Sequence, residues 1–169
     1  MKTRKYILLA MLTAIGLAVG FFESFIPLPV AFPGARLGLA NIVVLITIVN
    51  FGYKEGLIVA ILKSVLLVFV SGSVSAFIFS FTGTILSAFV MILSHKFLSK
   101  YLSLIGISEL GSFFHNLGQV LAAMLVLKNL MIISYLPFLA GLGIFTGYFV
   151  GLASNYISFY LKKNIRRIS

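Results

Sequence analysis

The stretch AFIFSFTGTILSAFVMIL, residues 76–93, decides the fold class of this protein. It carries no charged side chain and is long enough to be a transmembrane helix candidate. The whole chain of 169 residues has a similar character, since it is 61% hydrophobic, only 9% charged and has a mean hydropathy of +1.17. A soluble domain is about a quarter charged. We therefore predict an all-α integral membrane protein of the cell membrane, with one transmembrane domain over residues 1–169 and the lipid bilayer as its surroundings.

Prolines, glycines and polar residues divide the chain into six apolar segments, which predict a bundle of about six transmembrane helices. Short polar turns are predicted between the second, third and fourth helices. A segment along the membrane surface is expected at residues 95–107, and a hydrophobic loop at 129–137. The predicted helices are residues 6–26, 37–51, 57–70, 76–93, 110–127 and 138–161.

The basic residues predict the orientation of the bundle. If the N-terminus is cytoplasmic, ten of the 13 basic residues are cytoplasmic, Arg36 and Lys128 are external, and Lys63 lies within a helix. The positive-inside rule favours this arrangement, with both termini in the cytoplasm. Because the basic clusters flank apolar segments, membrane topology explains the net charge of +10 better than nucleic-acid binding does. The ten residues are Lys2, Arg4, Lys5, Lys54, Lys96, Lys100, Lys162, Lys163, Arg166 and Arg167.

Several kinds of chemistry are excluded by composition. There is no cysteine and no aspartate, so thiolate metal sites and magnesium-binding aspartate pairs are ruled out. No Walker loop is present. The two histidines, His95 and His115, lie in different segments without metal-ligand spacing. We predict no catalytic residues, no cofactor and no metal site.

Polar residues inside the apolar segments are the candidates for function, because ionisable groups are costly in a membrane. Lys63 lies about eight residues into the third segment, from where it either faces the bundle or extends back to the cytoplasmic surface. His115, Asn116 and Gln119 share one face of the fifth helix with Ser112. That face either lines a cavity or forms an internal hydrogen-bond network.

Glu23 and Arg36 flank a proline-rich loop at residues 27–34, and Asn41 follows them. The two charged residues either contact a ligand or form a structural ion pair. We predict a partly polar cavity in the outer half of the bundle, with Glu23 at its rim. Arg36 and Lys63 favour an organic ligand with an acidic or phosphate group. In the alternative, Lys63 and His115 lie too deep to meet Arg36. Lys63 and the polar face of the fifth helix then form a central polar core, and Arg36 serves only a gate. The predicted substrate-binding residues are Glu23, Arg36, Asn41, Lys63, His115, Asn116 and Gln119.

Small residues recur at the spacing by which helices pack closely in membranes. In the third helix they are Gly56, Ala60 and Ser64, and in the sixth they are at positions 143, 147 and 151. We predict that both sets pack inside the bundle. The first helix carries two such series, one of which contains Ala10 and Ala14.

Three stretches resemble a known family: ARLGLANI (35–42), GYKEG (52–56) with Lys63 following, and FHNLGQ (114–119). The family is named heptaprenyl diphosphate synthase component I or Gx transporter, and it is similar to the S components of energy-coupling-factor (ECF) transporters. The resemblance implies a six-helix protein that binds a substrate near the outer face and docks on a transmembrane coupling protein with two ATPases. Ala10 and Ala14 match the docking motif of S components, and the loop at residues 27–33 occupies the position of their gate.

Two functions follow from these observations. The first is an S-component-like binding subunit for the uptake of a small organic molecule, dependent on partner proteins for energy. The alternative is a non-catalytic membrane subunit that assists a separate prenyl diphosphate synthase catalytic subunit in heptaprenyl diphosphate or menaquinone synthesis, or that belongs to a membrane redox assembly. Neither function involves nucleic acid.

Overall fold

Six α-helices and one 3-10 helix, with no strand, make up the part of the chain that the computed structural model describes, residues 2–28 and 35–166. The all-helical prediction is therefore confirmed. The helices are α1 (Lys2–Glu23), α2 (Asn41–Phe51), α3 (Tyr53–Ser71), α4 (Val74–Leu98), α5 (Leu104–Leu127) and α6 (Leu136–Arg166), with the 3-10 helix (Leu130–Tyr135) between the last two.

Four of these helices, α1, α4, α5 and α6, are long and apolar enough to cross a membrane. The protein is therefore a membrane protein. The helix α2 has only 11 residues, or about 16 Å at 1.5 Å per residue. The helix α3 is longer but carries Lys54, Glu55 and Lys63. The number of crossings and the side on which the termini lie stay predictions.

The first half of the chain departs from the predicted boundaries at two glycines. The helix α2 begins at Asn41 rather than residue 37, because Gly38 has a φ of +85° and cannot be part of a right-handed helix. The predicted turn at residues 52–56 is wrong. Gly52 alone, with a φ of +117°, separates α2 from α3, and the polar residues after it form the first turn of α3.

The second half contains more helix than the sequence predicted. The prediction of a surface segment at residues 95–107 is wrong, since α4 continues to Leu98 and α5 begins at Leu104. Ser103 starts α5, because its side-chain oxygen accepts a hydrogen bond from the Gly106 N–H. The predicted hydrophobic loop is largely a 3-10 helix. Pro137 lies in the first turn of α6, where its missing N–H is tolerated.

The helix α5 lies at the centre of the bundle and packs along both α4 and α6. Glycines permit these contacts. A Cβ atom on Gly118 would lie 2.8 Å from the Cα of Gly83, and one on Gly151 would lie 2.5 Å from the Cα of Ile105. Such distances exclude a side chain, so the backbones approach as closely as lipid-embedded helices allow. The predicted internal packing of the small residues of α6 is confirmed.

The small residues of α3 and α1 pack in different directions. Gly56, Ala60 and Ser64 of α3 are buried, as predicted. On α1, Gly16 faces the bundle and contacts Val43, whereas Ala10 and Ala14 are exposed on the other side of the helix.

Candidate functional site

The non-helical residues 35–40, which we call the Arg36 segment, precede α2 and end in a turn. Gln119 of α5 holds this segment with both ends of its side-chain amide. The backbone N–H of Arg36 donates to Gln119 Oε1 at 2.8 Å, and Gln119 Nε2 donates to the Arg36 carbonyl at 2.8 Å. Lipid cannot satisfy a backbone group, so a non-helical segment within a bundle needs such partners.

Two further side chains hold the Arg36 segment from opposite sides. Glu23, at the end of α1, accepts hydrogen bonds through Oε1 from the backbone N–H groups of Gly38 and Leu39. Thr146 of α6 donates to the carbonyl of Leu37 at 3.3 Å. The segment is therefore attached to α1, α5 and α6 at once.

A small cavity, which we call the charged cavity, lies beneath this segment. Its volume is about 10 Å³, which is room for about one water molecule. Its four ionisable lining residues are each at most 5% exposed. The cavity is lined by Gly20, Glu23, Arg36, Gly38, Ala40, Lys63, Leu67, Ser80, Thr84 and His115.

The guanidinium of Arg36 is unusual in this cavity. Its Nε and Nη1 atoms are buried, and neither has a hydrogen-bond partner among the described residues. The structural ion pair that we considered between Glu23 and Arg36 is not formed. The described residues contain an ion pair between Lys5 and Glu55 instead.

Lys63 faces the interior, because its side chain is only 5% exposed and its Nζ donates to Asn41 Oδ1 at 3.1 Å. The alternative in which Lys63 extends to the cytoplasmic surface is therefore wrong. The separation of a deep polar core from Arg36 is also wrong, since Lys63 and His115 line the same cavity as Arg36.

A second small cavity, the hydroxyl cavity, shares Gly38 with the charged cavity and also has a volume of about 10 Å³. Hydroxyl groups of three helices face it, and those of Ser112 and Thr146 lie 3.1 Å apart. Asn41 donates weakly to Ser87 across it, at 3.4 Å. Its lining is Gly38, Asn41, Ser87, Met91, Ser108, Ser112, Thr146, Gly147 and Val150.

The polar face of α5 is divided between two roles. His115 lines the charged cavity. Asn116 and Gln119 line neither cavity, and their amides bond to backbone instead. Asn116 Nδ2 donates to the Leu139 carbonyl at 2.7 Å, so it holds the start of α6 in the way that Gln119 holds Arg36. For these two residues the geometry is that of an internal hydrogen-bond network.

Sequence reasoning missed the contribution of α4. Ser80 and Thr84 line the charged cavity, and Ser87 lines the hydroxyl cavity. Their spacing of four and three residues places them on one helical face with Ser94, and all four are buried. This periodicity within an otherwise apolar helix was the available signal.

Two other predictions concern the surroundings of the site. The proposed gate at residues 27–33 lies mostly outside the described residues, because positions 29–34 are not among them. Ala10 and Ala14, predicted as a partner interface, are exposed on α1 and face away from the bundle.

Comparison with known families gives one match. The family described as Heptaprenyl diphosphate synthase component I matches residues 12–157, which include both cavities. This confirms the resemblance found in the sequence. No curated protein and no solved structure matches the chain.

Proposed function

Because this chain belongs to the heptaprenyl diphosphate synthase component I family, we propose that it is a non-catalytic membrane subunit. In this proposal it binds a small organic molecule in its polar core, as the S component of a transporter does, and partner proteins supply the energy. The charged cavity is the binding site, and the exposed Ala10 and Ala14 face of α1 is the docking surface.

The observation that carries the proposal is the convergence of Glu23, Arg36, Lys63 and His115 on one cavity. Ionisable residues within a membrane bundle are costly, and they commonly mark ligand or ion sites. If these residues had only a structural role, we would expect their charged side chains to form ion pairs with one another. Arg36 instead keeps two buried N–H-bearing nitrogens without a partner among the described residues.

The size of the charged cavity adds a condition to the proposal. A volume of about 10 Å³ is too small for an organic molecule. Substrate binding therefore requires the Arg36 segment to move outward and enlarge the cavity. Its attachments are hydrogen bonds between its backbone and the side chains of Glu23, Gln119 and Thr146, which can break without unfolding a helix.

The absence of a catalytic role is part of the same proposal. Prenyl diphosphate chemistry uses carboxylates that bind magnesium ions. This chain has no aspartate, and its three glutamates lie far apart in the sequence. Glu55 pairs with Lys5, and Glu23 holds the Arg36 segment.

A second candidate function comes from the description of the family, which names a component of a synthase. In this alternative the protein is the membrane partner of a separate catalytic subunit that makes a prenyl diphosphate. Its polar core would then hold the product or a lipid-soluble intermediate for that subunit.

Purification from the native membrane tests the proposal. A tagged protein should retain a transmembrane coupling protein, two ATPases and a small organic molecule, all identified by mass spectrometry. Replacing Ala10 and Ala14 by Leu should remove the partners, because bulky residues keep backbones apart. The control is Gly141→Leu, which also enlarges an exposed residue but lies on α6.

The alternatives give different results in that experiment. Capture of a soluble prenyl diphosphate synthase subunit, unaffected by the two alanine changes, would support the second function. Loss of folding in the Ala10 and Ala14 variant would contradict the proposed docking surface.

A further inference from the structure

We propose that the charged cavity receives the anionic end of the ligand, a carboxylate or phosphate group, between the Arg36 guanidinium and the Lys63 ammonium. This inference rests on the proposed binding function and specifies the class of substrate. It also predicts the orientation of the bound molecule, with its charged end toward Lys63 and its remainder toward the Arg36 segment.

The cavity has an excess of hydrogen-bond donors. The Nε and Nη1 atoms of Arg36 are buried without partners among the described residues, and so is the hydroxyl of Thr84. The Lys63 ammonium has three donor hydrogens, of which the bond to Asn41 uses one. Unused buried donors are costly, so this lining favours a ligand group that only accepts hydrogen bonds.

The strongest acceptors near the cavity are partly occupied. Glu23 provides the carboxylate, and its Oε1 atom already accepts two backbone N–H groups from the Arg36 segment. The Asn41 Oδ1 atom accepts from Lys63. A cationic ligand would face two positive side chains, and the acceptors left for it would be the second oxygen of Glu23, the hydroxyl oxygens and a ring nitrogen of His115, which is also buried without a partner among the described residues.

The net charge of the cavity also favours an anionic ligand. Arg36 is always protonated in proteins, and with a protonated Lys63 it gives two positive charges against the single carboxylate of Glu23. One further negative charge would balance the cavity. Hydrogen bonds between ionised groups are about twice as strong as neutral ones, and a guanidinium matches the two oxygens of a carboxylate or phosphate.

The geometry also explains how a larger molecule could use this cavity. Its room for about one water-sized group suits an oxygen atom of an anionic end. The remainder of the ligand would then occupy the space that opens when the Arg36 segment moves outward.

Thermal unfolding of the purified protein tests the inference. Sodium phosphate and sodium acetate should each be titrated against sodium chloride at matched ionic strength. We expect a saturable rise in the unfolding midpoint with at least one of the two anions. Phosphate alone would indicate a phosphate-bearing ligand, and acetate alone a carboxylate.

Substitutions of the cavity residues test whether the anion binds there. Arg36→Gln and Lys63→Met should each weaken the apparent anion affinity by about tenfold or more, because each removes a charge-assisted bond. The control is Lys100→Gln, which removes an exposed positive charge outside the cavity and should leave the affinity unchanged. If Arg36→Gln does not fold, Thr84→Val removes one donor without changing the charge and should weaken the affinity severalfold.

Two results would overturn the inference. One is the absence of a saturable shift with either anion. The other is an unchanged affinity in Arg36→Gln or, where that variant does not fold, in Thr84→Val. If a small molecule still co-purifies while neither anion acts, the binding function survives and only the anionic class is wrong. If the anions act but neither molecule nor partner co-purifies, the failure lies with the transport function instead.

Discussion

At the scale of single residues, the sequence predicted which side chains matter better than it predicted what they do. Lys63 and Arg36 could be singled out because charges are costly near lipid. The role of Gln119 could not be found in this way. Its side-chain amide bonds to the backbone of Arg36, 83 positions away. A polar residue in an apolar segment does not indicate so distant a partner. Thr146 was missed as well, since threonine is common in membrane helices.

The first prediction concerns Gln119→Met, which keeps the length of the side chain but removes both hydrogen bonds to the Arg36 backbone and the weaker one to Asn116. Two buried backbone groups of Arg36 would lose their partners, at about 1–3 kcal/mol each. We therefore expect a lower free energy of unfolding and faster release of the Arg36 segment.

Trypsin measures this release, since it cleaves after Arg36 only when the backbone there is accessible. In the wild type Arg36 is 4% exposed and should resist cleavage. Cleavage after Lys128, which is exposed, serves as the internal control. Equal rates of cleavage at Arg36 in both proteins would contradict the role given to Gln119.

At the scale of helices, apolar runs were sufficient to predict six of them, and local backbone features were responsible for the errors. The start of α2 was missed because only the structure shows that Gly38 has a positive φ. The residues just before Gly56 are helical although their polarity is typical of a turn. The polar ends of α4 and α5 extend the helices beyond the apolar segments, since a helix need not end where its hydrophobic part ends.

Glycines of α6 allow a prediction about helix packing. A Cβ atom on Gly151 would lie 2.5 Å from the Cα of Ile105 in α5, whereas one on Gly141 would meet nothing within 4 Å. We expect Gly151→Ala to destabilise the protein by about 1–3 kcal/mol, the usual cost of overpacking. Gly141→Ala should be neutral or slightly stabilising, because alanine favours a helix.

Circular dichroism during heating, in the same detergent for both variants, makes this comparison. The two changes add the same methyl group to the same helix, so a difference between them isolates the contact with α5. Equal stabilities would show that α5 and α6 can separate without cost.

At the scale of the whole molecule, the composition predicted a membrane protein, and the four long apolar helices agree with it. The sequence predicted a second helix over residues 37–51 that is already short for a bilayer, and the structure shortens it further to Asn41–Phe51. The burial of α2 depends on α1, α3, α4 and α6, which lie around it. Such an arrangement is set by tertiary contacts rather than by local hydropathy.

The topology prediction is tested by fusing reporters to the chain. Fluorescent protein fused after Lys100, or at the C-terminus, should fluoresce, because both positions are predicted to be cytoplasmic. Alkaline phosphatase fused after Lys128 should be active, since that loop is predicted to be external. An inactive phosphatase there, or a dark fusion at either of the other positions, would contradict six crossings with cytoplasmic termini.

The attachment of the Arg36 segment has a consequence for biosynthesis. The backbone of Arg36 finds its partner in Gln119, 83 residues further along the chain, and the Leu37 carbonyl finds its own in Thr146, 109 residues further. While the ribosome is still making α3 and α4, the segment has neither partner. It must therefore wait at the edge of the bilayer, near water, until α5 and α6 have been inserted. The charged cavity is then completed only when His115 of α5 arrives, although its nine other lining residues are synthesised before α5.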